Sequence, residues 1–168
     1  NNAMKQSCDT YFYEIARLLG VDRLKITAKK FGLGEKVLGE YFENEKKGLF
    51  PNTKWKKNNI GKGWVLGETL ITGIGQGYIQ TTPLQLCLMT SQIANGGYSI
   101  KPKIIVNNNP LTYEQAKKSM KDEYLNNSSV KLFKDPNNIK IVQEAMFSST
   151  NEIRGTSYRS RIDDPKYQ

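Results

Sequence analysis

The chain has 168 residues, a length that suits one domain or a large part of one, and its nine Tyr, six Phe and two Trp exclude an intrinsically disordered chain. Its net charge of +9 favours an acidic partner, but Lys supplies most of the positive charge, so a solvated surface is a better interpretation than nucleic-acid binding. The absence of His excludes Ser-His-Asp and Cys-His catalysis and imidazole metal sites within the chain, and two Cys are too few for a disulfide framework.

Two helices are predicted near the start of the chain. The first covers residues 9–19 and ends at Gly20, and short side-chain oxygens of Ser7 or Asp9 are expected to cap its first turn. The second runs from about residue 22 to residue 31 and ends at a glycine. The apolar residues that recur at helical spacing in the first helix are Phe12, Ile15, Ala16 and Leu19.

A long irregular stretch is predicted next. Residues 34–63 are rich in Gly and Lys and read as a loop, which Trp55 and Trp64 are expected to hold against the body of the domain. A small, apolar, Gly-rich segment follows and ends at Gly75-Gln76-Gly77. This motif lacks the lysine and spacing of a phosphate-binding loop, so it is interpreted as a tight turn.

The clearest local signal is Thr82-Pro83-Leu84-Gln85, which has the N-cap, the N1 proline and the N3 glutamine of a capping box. It predicts a helix that ends at Asn95-Gly96-Gly97. Because apolar residues surround most of its circumference, we expect this helix to be buried in the centre of the domain. These residues are Leu84, Leu86, Cys87, Leu88, Ile93 and Ala94.

The last third of the chain is more polar. Residues 100–106 read as an edge strand or extended segment, and residues 107–138 as a variable polar excursion with a short helix near 113–124. Asp135-Pro136 opens a final helix, and Gly155-Thr156-Ser157-Tyr158 begins a loop or strand. The pattern is mixed α and β, dominated by helices. The residues of the final helix that are expected to face inward are Ile139, Val142 and Met146.

Ser7-Cys8-Asp9, considered alone, favours a helix cap with a carboxylate against the helix dipole. Its surroundings change that interpretation, because a series of segments in one order resembles elongation-type class B penicillin-binding proteins of the penicillin-binding protein 2-like kind. The resemblance is strong over residues 4–106 and 142–168 and weak between them. The segments that carry it are residues 7–16, 20–24, 31–34, 64–69, 73–78, 81–86, 93–97 and 101–102, and residues 155–158 stand where that family approaches its third motif.

The resemblance implies an α+β fold, part of the penicillin-binding transpeptidase and serine β-lactamase-like fold without most of its antiparallel sheet. Such transpeptidases use a Ser-x-x-Lys nucleophile motif, a Ser-x-Asn or Ser-x-Asp motif and a Lys-Thr/Ser-Gly strand. It implies that Ser7 is a proton-relay hydroxyl and that Asp9 stands where Asn is commoner, near the substrate. Residues 1–168 would form an incomplete transpeptidase domain, from the second motif to just before the third.

Two other matches to these motifs are not taken as catalytic. Ser128-Ser129-Val130-Lys131 fits Ser-x-x-Lys, but it lies in a polar stretch after the second motif, whereas a nucleophile needs a helix N-terminus in a buried cleft. Arg154-Gly155-Thr156 is not Lys-Thr-Gly. The chain by itself is therefore expected to lack the nucleophile and to be inactive.

The function implied by the resemblance is a peptidoglycan D,D-transpeptidase, which cross-links stem peptides ending in D-Ala-D-Ala through an acyl-serine and is acylated by β-lactams. The alternative is a noncatalytic scaffold or binding module of the same fold. Cell-wall elongation proteins are the implied partners, at the periplasmic face of the bacterial inner membrane through a segment outside this chain. No cofactor or nucleic acid is expected and no metal, although Cys8 is the residue to check as a ligand.

Overall fold

The computed structural model describes residues 2–39, 42–102, 130–162 and 164. Within these ranges the chain is helical, and its β pairing consists of two isolated antiparallel bridges, Leu49 with Gln80 and Tyr98 with Lys131. The elements are α1 (Asn2–Lys5), α2 (Asp9–Leu19), α3 (Val21–Lys30), α4 (Thr53–Ile60), α5 (Leu66–Gly73), α6 (Pro83–Ala94), α7 (Asn137–Asn151) and a short 3-10 helix (Tyr158–Ser160).

Residues 103–129 lie outside the described residues. They hold most of the predicted edge strand, most of the polar excursion predicted over 107–138, and the helix predicted near 113–124.

The first two predicted helices are present as α2 and α3, but the predicted cap of α2 is wrong. The residue at the cap position before α2 is Cys8, and neither Ser7 nor Asp9 occupies it. Ser7 lies one residue before the cap position, and its backbone has a φ of 50°. Asp9 is already the first residue of the helix. Neither oxygen can therefore take the place of a cap side chain.

The stretch predicted as a loop contains the helix α4, and this prediction is also wrong. The Asn52 side chain accepts a hydrogen bond of 2.9 Å from the backbone N–H of Trp55, which begins the helix. Gly61 ends it in the left-handed conformation, at a φ of 73°. Lysines and asparagines dominate α4, so its sequence shows no apolar residues repeating at helical spacing. The residues that indicate this helix in the sequence are the capping Asn and the terminal Gly.

Both tryptophans hold this stretch against the body, as predicted. The Trp55 ring packs against the Tyr78 ring with centroids 5.3 Å apart, and the Trp64 indole N–H donates to the Thr69 hydroxyl at 2.8 Å. Tyr78 directly follows the glycine turn, in which Gly77 has a φ of 81°, a conformation that favours glycine. This geometry agrees with a tight turn between α5 and α6.

The capping box of α6 forms as predicted. The backbone N–H of Gln85 donates to the Thr82 hydroxyl at 3.2 Å, and the backbone N–H of Thr82 donates to the Gln85 side-chain oxygen at 3.0 Å. Asn95 follows the helix as its C-cap. Residues within four positions of one another make these contacts, which explains why the pattern is readable in the sequence.

The burial of α6 differs from the prediction. Its buried residues are Gln85, Leu88 and Gln92, whereas Leu86 is 45% exposed and Cys87 is exposed. Gln85 has no exposed surface, and its amide donates to the carbonyl oxygens of Glu35 at 2.7 Å and Lys47 at 2.9 Å. The inner face of α6 therefore binds backbone of the preceding segment through amides rather than packing apolar side chains alone.

The helices pack in two groups that α1 and α2 connect. α2 packs along α5, and α3 contacts both of them, while α1 and α6 pack against α7. On α7, Ile139 and Ala145 are buried, but Met146 is 42% exposed, so its predicted inward orientation is wrong. The buried apolar residues of the described part are Ala16, Val21, Ala28, Phe50, Leu88, Ile139 and Ala145.

Candidate active site

Ser7 lies in a sharp turn between α1 and α2. The backbone N–H of Ser7 donates to the Met4 carbonyl at 3.2 Å, and that of Cys8 donates to the Ala3 carbonyl at 2.8 Å. Among the described residues, Ser7 is the non-glycine residue with a positive φ, 50°. A left-handed conformation costs such a residue about 1–2 kcal/mol. The surrounding structure must therefore hold this turn, and the turn leaves Ser7 exposed.

Thr156 is the residue that meets Ser7. The two hydroxyl oxygens lie 3.1 Å apart, although 149 positions separate the residues in the chain. The backbone N–H of Thr156 donates to the Lys5 carbonyl at 3.1 Å, and its hydroxyl lies 3.3 Å from that of Ser149. The fold thus places three hydroxyl groups in a row, from Ser7 through Thr156 to Ser149.

An ion pair next to these hydroxyls joins α1 to the end of α7. Lys5 and Glu152 are in contact through their charged groups, with the Lys5 side chain 11% exposed and that of Glu152 51% exposed. Hydrogen bonds from Lys5 and then from Ser148 hold the pKa of the Glu152 carboxyl below its ordinary value of 4.5. Glu152 therefore stays ionised at neutral pH and keeps the pair intact.

Gly155 allows the Thr156 loop to lie against α7. A Cβ at Gly155 would lie 2.1 Å from the Ser149 carbonyl oxygen, closer than real Cβ atoms approach. The same carbonyl accepts the backbone N–H of Ser157 at 3.1 Å. A residue with a side chain would push this loop, and Thr156 with it, away from the Ser7 turn.

Asp9 and Cys8 lie at the start of α2. Asp9 is exposed at the first helical position, where the helix dipole favours a negative charge. The Cys8 sulfur lies 3.3 Å from the Thr10 hydroxyl. Hydrogen bonds from that hydroxyl and then from the Tyr11 backbone lower the pKa of the Cys8 thiol from its ordinary 9.0. The thiol forms its hydrogen bond with the helix start and not with the Ser7–Thr156 pair.

The sequence reasoning missed Thr156 and Ser149. Ser149-Thr150-Asn151 even has the Ser-x-Asn pattern, but it lies in the last turn of α7. The Thr150 hydroxyl and the Asn151 amide both donate to the Phe147 carbonyl at 3.0 Å, so these side chains bind their own helix. The available signal was the Gly155-Thr156 pair, a few residues after the end of α7.

The residues considered for other chemistry are not gathered at this site. Lys131 lies 5.8 Å from the centre of the Tyr98 ring, while Ser128 and Ser129 are outside the described residues. Cys8 and Cys87 are free thiols. In the described ranges, no three His, Cys, Asp or Glu residues are arranged to hold a metal ion, and no helix has the length and apolar character needed to cross a membrane.

The family model described as the penicillin binding protein transpeptidase domain matches residues 1–168. Over 159 residues the chain is 32% identical to the peptidoglycan D,D-transpeptidase MrdA of Salmonella typhimurium, covering 94% of this chain and 24% of that protein. The chain thus spans about a quarter of the length of this curated relative.

Two solved structures are similar over almost the whole chain. PBP2 of Pseudomonas aeruginosa, crystallised in complex with WCK 5153, has a TM-score of 0.72 and 35% identity, covering 94% of this chain and 33% of that one. PBP2 of Helicobacter pylori, in its complex with MreC, has a TM-score of 0.74 and 30% identity, with coverages of 98% and 28%. These similarities confirm the fold class predicted from the sequence.

Proposed function

Because this chain belongs to the penicillin-binding protein transpeptidase domain family, we propose that it is part of an elongation-type peptidoglycan D,D-transpeptidase. In that reaction a serine hydroxyl attacks the carbonyl between two D-alanines of a stem peptide, forms an ester, and releases the terminal D-alanine with the proton the serine gave up. The amine of an acceptor peptide then attacks the ester, which forms the cross-link and frees the serine. A β-lactam acylates the same serine.

Ser7 would carry a proton between the groups of this reaction. The observation that supports the role is the pairing of its hydroxyl with that of Thr156 at 3.1 Å, in an exposed turn held by backbone hydrogen bonds. A hydroxyl has one proton to donate and two lone pairs to accept, so it can take a proton from one partner while giving its own to another. The nucleophile would come from a Ser-x-x-Lys motif other than Ser128–Lys131.

Asp9 would contribute a polar group beside the substrate. It lies two positions after Ser7 at the start of α2, and its carboxylate is exposed. In this assignment residues 1–168 are an incomplete domain, which runs from the second catalytic motif to just before the third. Residues 107–138 are a variable excursion from it, with no assigned part in the chemistry.

The partners we propose follow from the relatives. The Helicobacter pylori PBP2 is solved in complex with MreC, and a comparable cell-wall elongation protein is the partner expected here. Stem peptides ending in D-Ala-D-Ala and β-lactams are the small-molecule partners. The parent protein would be anchored in the bacterial inner membrane by a segment outside this chain and would work on the periplasmic face.

Covalent labelling of the full-length protein with a fluorescent penicillin tests this function. Ser7→Ala should slow acylation by about 100-fold, the lower end of the usual contribution of a proton-transfer group, with an unchanged melting temperature. Ser160→Ala is the matched control, because Ser160 is also an exposed serine and lies in the short 3-10 helix. Its labelling should equal that of the unaltered protein.

Two results would contradict the proposal. A full-length protein that does not label at all would be a noncatalytic scaffold of this fold. A Ser7→Ala variant that labels at the normal rate but melts at a lower temperature would mean that Ser7 only supports the turn before α2.

A further inference from the structure

We infer that Thr156 is a positioning residue, whose hydroxyl holds the Ser7 hydroxyl in the orientation that proton transfer requires. The inference rests on the proposed function, because it assumes that Ser7 carries the proton. It assigns a role to a residue that lies outside all three catalytic motifs.

Ser7 needs such a partner because its own side chain is not fixed. A serine hydroxyl rotates among staggered positions, and Ser7 is exposed in its turn. The Thr156 hydroxyl, 3.1 Å away, favours the one rotamer that keeps this contact. A hydroxyl held in this way loses less conformational freedom when the substrate arrives, which lowers the barrier to proton transfer.

Thr156 is itself well fixed. Its backbone N–H donates to the Lys5 carbonyl at 3.1 Å, and its hydroxyl lies 3.4 Å from the same carbonyl oxygen. As a β-branched residue, threonine has a restricted side-chain torsion. The flexible Ser7 side chain is thus paired with the stiffer Thr156 side chain, and the Thr156 backbone is anchored to α1, the helix that precedes the Ser7 turn.

Either hydroxyl can be the donor in the contact between Thr156 and Ser7. Ser7 must keep its own proton to give away in the reaction, so the orientation that supports transfer is the one in which the Thr156 hydroxyl donates to the Ser7 oxygen. The other acceptors near the Thr156 hydroxyl, the Ser149 hydroxyl and the Lys5 carbonyl, lie farther away, at 3.3 Å and 3.4 Å. Ser7 then still has a lone pair to accept a proton and a proton to donate.

The loop and the turn form one unit. The ion pair of Lys5 with Glu152 joins α1 to the residue that follows α7, and Gly155 lets the loop lie against the Ser149 carbonyl. Both contacts involve residues just before Thr156, and they fix the distance between the loop and Ser7. The strained backbone of Ser7, with a φ of 50°, is held by the same arrangement.

The test measures β-lactam acylation rates of the full-length protein and two variants of Thr156. Thr156→Val keeps the shape and the backbone N–H but removes the hydroxyl. It should slow acylation about tenfold, the effect expected from the free energy of one hydrogen bond. Thr156→Ser restores a hydroxyl and should come within about twofold of the unaltered rate. Thr150→Val is the matched control, because the Thr150 hydroxyl bonds its own helix and should not affect the rate.

A double-mutant cycle separates positioning from folding. In a Ser7→Ala protein, Thr156→Val should cause no further loss, because residues that act through one hydroxyl are not additive. An equal tenfold loss in both backgrounds would overturn the inference and assign Thr156 to the fold alone. A normal rate in Thr156→Val, in a protein where Ser7→Ala is slow, would also overturn it while leaving the proposed function intact. A wild-type protein that does not label refutes the proposed function itself.

Discussion

Gly73 of α5 lies so close to Ala16 of α2 that a Cβ added at Gly73 would come within 2.4 Å of the Ala16 Cβ. The same added atom would lie 3.3 Å from the Phe12 carbonyl oxygen. Ala16 is 1% exposed, so glycine and alanine, the two smallest residue types, meet at a buried point of the contact between α2 and α5. Because the Ser7 turn ends two residues later at the start of α2, this contact helps to fix where the turn lies.

The closeness of these helices predicts that Gly73→Ala destabilises the complete domain. We expect a loss of about 1–3 kcal/mol, because the added methyl group must push α5 away from α2. Gly67→Ala is the control in the same helix, since a Cβ at Gly67 meets nothing within 4 Å. It should raise the stability by about 0.4–1 kcal/mol by restricting the unfolded chain. Thermal unfolding measures both, and equal effects would mean that α2 and α5 can separate without cost.

Lys56 and Glu68 form the buried ion pair that holds α4 to the start of α5. Their side chains are 7% and 14% exposed. Lys56→Ala leaves a carboxylate without its partner in a largely buried place and should cost about 3–5 kcal/mol. Lys57→Ala, at the exposed neighbouring position of the same helix, should change stability by less than about 0.5 kcal/mol. Urea unfolding of the complete domain measures the difference, and similar midpoints for the two variants would contradict it.

The same pair predicts how stability depends on pH. Burial raises the pKa of the Glu68 carboxyl, but hydrogen bonds from Lys56 and from the Val65 backbone outweigh it, so the pKa lies below its ordinary value of 4.5. A lowered folded-state pKa means that the unfolded state binds protons more readily. The stabilisation is therefore complete above pH 4.5 and is lost as the pH falls through the lower folded value.

Melting temperatures measured between neutral pH and pH 3 test this dependence. In Glu68→Gln the acid-induced decrease should be smaller than in the unaltered domain, because the group that titrates has been removed. Glu152 also has a lowered pKa and contributes in the same direction, so a part of the decrease should remain. An unchanged decrease in Glu68→Gln would show that Glu68 is not a source of it.

The 168-residue chain by itself should not label with penicillin. It has no Lys-Thr/Ser-Gly motif, and its single Ser-x-x-Lys match, residues 128–131, follows Ser7 instead of preceding it. A fluorescent penicillin incubated with the isolated chain measures this directly. Stoichiometric labelling that disappears in Ser128→Ala would show that Ser128 is a nucleophile after all.

The elements that could be predicted from the sequence are those whose signals are local. The α6 helix begins as Thr82 and Gln85 predict, because its cap involves residues three positions apart. The α2 helix has the predicted bounds because its apolar residues repeat at helical spacing. The α4 helix was not predicted because its lysines and asparagines show no such repeat. Its buried residue is the charged Lys56, which forms an ion pair with Glu68.

Burial was harder to predict than helix bounds. Leu86 of α6 and Met146 of α7 are exposed, while Gln85 and Gln92 of α6 are buried. The two glutamines are buried because the inner face of α6 must satisfy carbonyl groups of the segment that crosses it. Apolar character alone therefore did not identify the whole buried face of this helix, although Leu88 is buried as predicted. Which carbonyls need a donor depends on how distant segments meet, and no local pattern records it.

The sequence by itself identified the family resemblance and singled out Ser7, because catalytic motifs and caps are short and their residues act on near neighbours. Only the tertiary structure brought Thr156 to Ser7, across 149 positions, through the packing of α1 against α7 and the ion pair of Lys5 with Glu152. A hydrogen bond between hydroxyls needs atoms within about 3 Å, and such a distance between remote residues is decided by the packing of whole helices.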